Sequence, residues 1–327
     1  MLRKIVIAKA LNTGVFTLCL TAHAHAETLQ VEGLYPARSS GIADIQSIAI
    51  DRFGGSDGTA LAFAIEDQLS GVEIDNAAYF QVIAGRSAVE PEATMTGTAR
   101  TNIEEYETRE YRQRCVERDE NGKCETRKSI KVNCWKRVID FEAQIRLSRF
   151  SDGQTVYAER KTDSKEETDC GRNESLSNSE DAVRAMINKA AYSVRRDLAP
   201  IERRENIRVL ESRKGMEKAT SKFFKAAVKM TKKDEQEACR MWGQVAANGA
   251  PHVSIAFNRG LCAEQEGALV KALDHYSEAQ QLAGSKAEIG QAIRRVEGRQ
   301  RALEDLEIRY ASAGAGEETI VAENSNP

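Results

Sequence analysis

Histidine is nearly missing from this chain: there are 4 in 327 residues, and only His252 and His275 lie beyond residue 26. A nucleophile–base pair draws on a side chain that titrates near neutrality, and zinc sites draw heavily on imidazole. The scarcity argues against both chemistries. An excess of positive charge is lacking too, with 47 Lys and Arg against 50 Asp and Glu, so neither nucleic acid nor an anionic membrane surface is an expected partner. Beyond the first 26 residues no apolar run approaches the ~20 residues that a bilayer-spanning helix needs. Gly54-Gly55-Ser56-Asp57-Gly58-Thr59 lacks the Lys of a phosphate-binding loop and puts Asp57 where an anion would sit, so it reads as a turn and helix cap. The plentiful carboxylates single out no catalytic pair, and no cofactor is implied.

What is present begins with an export signal. Arg3, Lys4 and Lys9 give a positive start, Ile5 to Leu20 is largely apolar, and Ala24-His25-Ala26 puts small residues at the −3 and −1 cleavage positions. Leu18 stands before Cys19 where a lipidation site needs a small residue. The mature chain is therefore expected to start near Glu27, periplasmic or secreted. The signal holds three of the basic residues and none of the acidic ones, which leaves 44 against 50 and a net charge of −6.

Further segments follow from pattern. Residues 27–40 read as an extended lead-in and 41–212 as an α/β domain. Ile42 to Phe53 reads as a strand, Leu61, Ile65 and Leu69 mark a helix, and Tyr79 to Ala84 is a second strand. Thr94 to Cys170 reads as a β meander divided by turns at Asp119-Glu120-Asn121-Gly122 and Ser151-Asp152-Gly153. Ser177-x-x-Glu180 opens a helix with an apolar stripe from Val183 to Leu198, stopped by Pro200. Ile207 to Leu210 is a closing strand or a short helix. Residues 216–310 are helical, and 311–327 read as a disordered tail. The fold class expected is α+β, an α/β sandwich with a mixed, largely antiparallel sheet, joined to an all-α unit of helical hairpins.

Seven cysteines fall to six once Cys19 is removed, and an even count in an oxidising compartment favours disulfides. The spacing of Cys115, Cys124, Cys134 and Cys170 has no paired C-x2-C knuckle, so no metal is expected. Antiparallel partners across a turn centred on Asp152 have numbers adding to about 304, which Cys134 and Cys170 satisfy. Cys115 and Cys124 flank the first turn. Cys239 and Cys262 stand at similar distances on either side of the loop Asn248–Pro251, level with each other on two antiparallel helices.

Ala238, Trp242 and Val245 recur 34 positions later as Ala272, Tyr276 and Ala279, and Asn258, Gly260, Gly267 and Leu282 follow the same frame. In this the segment resembles a tetratricopeptide repeat (TPR), over roughly 219–252 and 253–286 with a capping helix at 291–310. The resemblance implies a concave docking wall lined by Ser254, Phe257, Asn258, Leu261, Glu264 and Gln265, with inter-helix core as the alternative for Phe257 and Leu261. Asn258 is the sharpest candidate, because an amide can both donate to and accept from an extended backbone.

Ile48-Ala-Ile-Asp-Arg-Phe53, Gly58-Thr-Ala-Leu-Ala62, Tyr79-Phe-Gln-Val-Ile83 and Thr96-Gly97, followed by a hairpin and an amphipathic helix, resemble the periplasmic domain shared by the curli-secretion-channel (CsgG-like) family and the TolB amino-terminal and penicillin-binding-protein-activator domains. That resemblance implies work in envelope assembly, secretion or regulation without catalysis. The stretch from Arg100 to Cys134 is charged at almost every other position, which a lipid-facing strand would not be, so no pore is expected. The functional expectation is a non-enzymatic envelope scaffold that docks a protein or peptide partner, with self-association through the α/β domain as a further option. The alternative is an enzyme or polysaccharide-processing factor using carboxylates that sequence does not single out.

Overall fold

A computed structural model describes residues 27–84, 90–171, 176–284 and 286–323. The expected export signal at 1–26 and the last four residues of the expected tail lie outside them. The elements run β1 (Thr28–Tyr35), β2 (Ser47–Gly54), α1 (Gly58–Ser70), β3 (Glu73–Ile74), β4 (Ala77–Ala78), β5 (Gln81–Ala84), β6 (Ala93–Arg118), β7 (Cys124–Arg149), β8 (Thr155–Asp169), α2 (Ser179–Leu198), β9 (Ile201–Arg208), and then helices α3 (Lys218–Met230), α4 (Glu235–Asn248), α5 (Val253–Gln265), α6 (Leu269–Ala283) and α7 (Ala287–Glu323).

The main sheet has the order β5-β2-β6-β7-β8, parallel around β2 and antiparallel from β6 onward. This mixed sheet beside helices is an α+β fold, as its patterns predict. Period-2 alternation puts Met95, Ala99, Ile139, Phe141, Ala143, Ile145 and Leu147 on one face, all buried. Leu61, Ile65 and Leu69 of α1 and Met186, Ile187, Ala190 and Val194 of α2 cover that face. The opposite face, with Thr96, Arg100, Gln144 and Arg146, is left to solvent. Asn178, not Ser177, caps α2, its side chain accepting from the Glu180 amide at 3.0 Å. Ser177 is drawn away because its hydroxyl donates to Glu167.

The second core gathers the helices with the lead-in, which the sequence pattern gives no core, and with the closing strand, which the pattern assigns to the α/β stretch. Leu29 and Val31 of the lead-in and Val209 pack with Phe224, Trp242, Phe257, Leu261 and Tyr276. The lead-in is a strand, β1, paired antiparallel with β9 from Thr28↔Arg208 to Tyr35↔Ile201. The closing strand thus lies outside the main sheet. Alternation explains the choice of core: Leu29 and Val31 point one way, and Gln30 and Glu32 the other. The six residues of the 34-residue echo, on α4 and α6, are at most 3 % exposed. Gly260 lets the Tyr276 ring approach, since a Cβ there would stand 2.5 Å from its Cε1.

The last helix joins both cores. Ile289, Ala292 and Val296 belong to the helical core and Leu306 to the sheet core. Its backbone stays helical to Glu323, where composition predicts disorder from Ala311 onward. Ala and Glu are the commonest residues of 311–323, and glycine within a helix costs only about 1 kcal/mol against alanine.

Candidate functional site

The six wall residues predicted on α5 come together on one side of that helix, but the chain itself covers them. Ser254, Phe257, Asn258, Leu261 and Glu264 are at most 2 % exposed. Asn258 accepts from the Leu210 amide at 2.8 Å and donates to the Leu210 carbonyl at 3.0 Å. Ser254 donates its hydroxyl to the Ser212 carbonyl at 2.8 Å. Gln265 donates to the Gln30 carbonyl at 3.0 Å, and the Gln30 amide donates to Glu235 at 3.3 Å. The amide at 258 clasps the backbone just past β9, and that backbone is the protein's own. His252 Nδ1 accepts from the Ser254 amide and caps α5, while Nε2 donates to the Lys214 carbonyl at 3.1 Å.

Glu264 sits in a different setting. It accepts two bonds at 2.7 Å from Arg295 and one at 2.8 Å from the Tyr276 hydroxyl, and Arg299 Nη1 lies 3.4 Å from it. Burial raises the Tyr276 hydroxyl's pKa, and the Glu264 charge adds to it. Burial pulls the Arg295 guanidinium down, but the bonds to Glu264 outweigh it, and the net shift is upward. Arg299 reaches this site across Gly33, where any Cβ would collide with its guanidinium. Sequence reasoning missed both arginines, because their partner lies more than thirty residues away.

Asp197, the other buried carboxylate among the described residues, lies in the sheet core. Tyr157 donates to it at 3.0 Å, Lys161 bonds it, and Arg38 stands at 3.5 Å. The two buried acids thus occupy separate cores, and each is met by cations. Glu110, Cys134 and Cys170 are grouped closely enough to suggest a metal site, but the two sulfurs are bonded to each other.

A cleft of about 810 Å³ opens beside the Cys239–Cys262 bridge, lined by Glu235, Arg240, Arg259, Lys271 and His275 among others. Burial, and then the Arg259 charge, depress the His275 pKa.

The hairpin of β6 and β7 is the largest feature that packing does not explain. Its strands are 26 residues each and pair from Ala93↔Arg149 to Arg118↔Cys124. β8 accompanies β7 only as far as Trp135↔Asp169. Beyond that point a two-stranded ribbon continues for about 35 Å at ~3.4 Å per residue. Two-stranded ribbons are marginal in water. Here a bridge stands at each end: at the base Cys134–Cys170 ties β7 to the chain just after β8, with Cα atoms 4.1 Å apart, and near the tip Cys115–Cys124 joins the two ribbon strands, 5.6 Å apart. The third bridge is Cys239–Cys262. Arg109, Tyr111, Gln113, Arg127, Ser129, Lys131, Asn133 and Trp135 share one ribbon face and are all exposed. On β7 the alternation of Ile130, Val132 and Cys134 with Ser129, Lys131 and Asn133 carried that signal, whereas β6 is charged on both faces and carried none.

No family model and no curated protein matches the chain. Among solved structures, a point variant of the PelC dodecamer from Paraburkholderia phytofirmans is 12% identical and covers 51% of this chain and 98% of that one, with a TM-score of 0.24. A neuraminyllactose-binding hemagglutinin homolog from Helicobacter pylori is 8% identical and covers 49% and 83%, with a TM-score of 0.27. Both scores fall below 0.5, and no property passes from these proteins to this chain.

Proposed function

We propose that this protein is a non-enzymatic, exported docking factor of the cell envelope, in which a helical unit steadies an α+β body and the stapled ribbon meets a protein partner. The ribbon is the observation that carries this reading. It buries no core of its own, yet two of the three disulfides fix it, so its rigidity serves something outside the fold. Disulfides suit an oxidising compartment. Among the described residues no helix is long and apolar enough to cross a membrane. The buried acids Asp197 and Glu264 are neutralised in separate cores, which supports a non-catalytic role over the enzyme alternative.

The helical unit is TPR-like in this proposal, on the strength of the buried 34-residue echo and the close approach of Gly260 to Tyr276. A second reading keeps the docking groove on its helices. Asn258 already holds a backbone segment, and a partner strand could compete with Leu210 for it.

Affinity capture of the tagged protein from intact envelopes distinguishes the two. Replacing Arg109 to Asn133 with Asn-Gly should abolish the captured partner while leaving the melting temperature within a few degrees. Undiminished capture by that variant would move the docking site to the helices, and loss of capture on Asn258→Ala with an unchanged melting temperature would support the groove.

A further inference from the structure

We infer that the free edge of β7 between Cys124 and Cys134 takes up an extended acidic segment of a partner protein, as an added strand with acidic side chains at every second position. This deepens the docking reading above and rests on it. Three observations converge on it. β8 pairs with β7 only from Trp135 onward, so among the described residues the outer edge of Cys124–Cys134 has no strand beside it. Its backbone donors and acceptors are a template for another chain. A strand there would lie in line with β8, beginning where the Cys134–Cys170 bridge ends that strand's pairing.

Charge selects the occupant. From Thr108 to Cys134 there are eight basic and five acidic residues, a net +3 within a chain of net −3. On β7 itself Arg127, Lys128 and Lys131 face one acid, Glu125. Among the described residues no carboxylate lies within 4.0 Å of Arg109, Arg127, Lys128 or Lys131, although many other cations of the chain are paired. These cations have no carboxylate partner among the described residues.

Side-chain chemistry points to a protein rather than a simple polyanion. Arg127 and Lys131 share their ribbon face with Tyr111, 71% exposed, and Trp135, 51% exposed. Trp, Tyr and Arg are the residues that dominate protein–protein contact energies. Lys131 already stands over the Tyr111 ring at 6.0 Å, so an arriving carboxylate meets a cation held in place. In an added strand alternate side chains point to this face, which sets the two-residue spacing of the acids.

The test uses the mature protein and a ten-residue peptide of alternating Glu and Thr. Binding by calorimetry should weaken steeply with salt, and hydrogen exchange should show new protection at the Cys124–Cys134 amides. Arg127→Glu combined with Lys131→Glu should weaken binding at least ~10-fold, with an unchanged melting curve as the folding control. The same peptide with alternate backbone amides methylated keeps its charges and should lose binding to a similar extent. Equal binding of the methylated peptide, of a Lys-for-Glu peptide or of an oligogalacturonate would overturn the proposal, as would no binding at millimolar peptide. If any of these holds while the ribbon-deleted protein still loses its partner in envelope capture, the docking reading survives and only strand addition fails.

Discussion

At Asn258 the repeat resemblance points to a peptide partner, and the side chain bonds the protein's own backbone. The amide bonds that backbone through both its ends, at Leu210. Asn258→Ala leaves the half-buried Leu210 amide and carbonyl without their side-chain partner, so it should destabilise the protein by roughly 1–3 kcal/mol. Thermal unfolding reads this, and an unchanged melting temperature would contradict it. Glu264 carries more. Glu264→Gln would leave Arg295 and Arg299 buried without their anion, a loss of about 3–5 kcal/mol in chemical denaturation. His275 sets a pH dependence: its folded pKa is depressed by burial, so the unfolded chain binds the proton more readily. Stability should therefore fall as pH drops through about 6.5, the unfolded value, and level off below the folded one. His275→Gln should flatten that part of the profile. A profile identical to that of the parent would show that another group titrates.

At the scale of elements, the β meander and its bridges were legible because turns impose register. From Trp135↔Asp169 to Leu147↔Tyr157 the partners across the second turn add to 304, and the Cys134–Cys170 bridge continues that ladder. The tip bridge is less regular: Arg118 pairs with Cys124 and Cys115 with Arg127, with bulges between them, and a disulfide joins the two offset cysteines. Cys134→Ser with Cys170→Ser opens a loop of 35 intervening residues and should cost roughly 3–4 kcal/mol in the loop-entropy account. Denaturant titration of the double variant checks the figure. A loss below ~1 kcal/mol would show that the sheet alone fixes the base of the ribbon. The cap of α2 was misread by one residue, since Ser177 and Asn178 are both good caps and only the tertiary bond to Glu167 decides between them.

Across the whole molecule, pattern reading left the lead-in without a core and put the closing strand in the α/β stretch, whereas both border the helical core. Periodicity reports which face of a segment is apolar, not which core receives it. Leu29, Val31 and Val209 have ordinary strand alternation, yet they complete the helical core from both ends of the α+β body. The length of α7 was equally hidden, since a tail rich in Gly and Glu reads as disorder from composition alone; nearer the middle of the helix the sheet core holds it. Arg309 stacks 3.8 Å from the centre of the Tyr79 ring and donates to the Ile45 carbonyl at 2.7 Å. With β1, β9 and α7 crossing between the cores, the two units should unfold together in one transition.

That the chain's own backbone fills the helical wall is tested most directly by amide hydrogen exchange of the chain from Glu27 onward, read at Gln30 and Leu210. Both amides donate to side chains of the helical unit, to Glu235 and Asn258 respectively. Protection at Leu210 should be comparable to that in the middle of α5, and it should be lost selectively in Asn258→Ala. Exchange at Leu210 as fast as in an open loop, with α5 still protected, would mean that the wall stands empty and available to a partner.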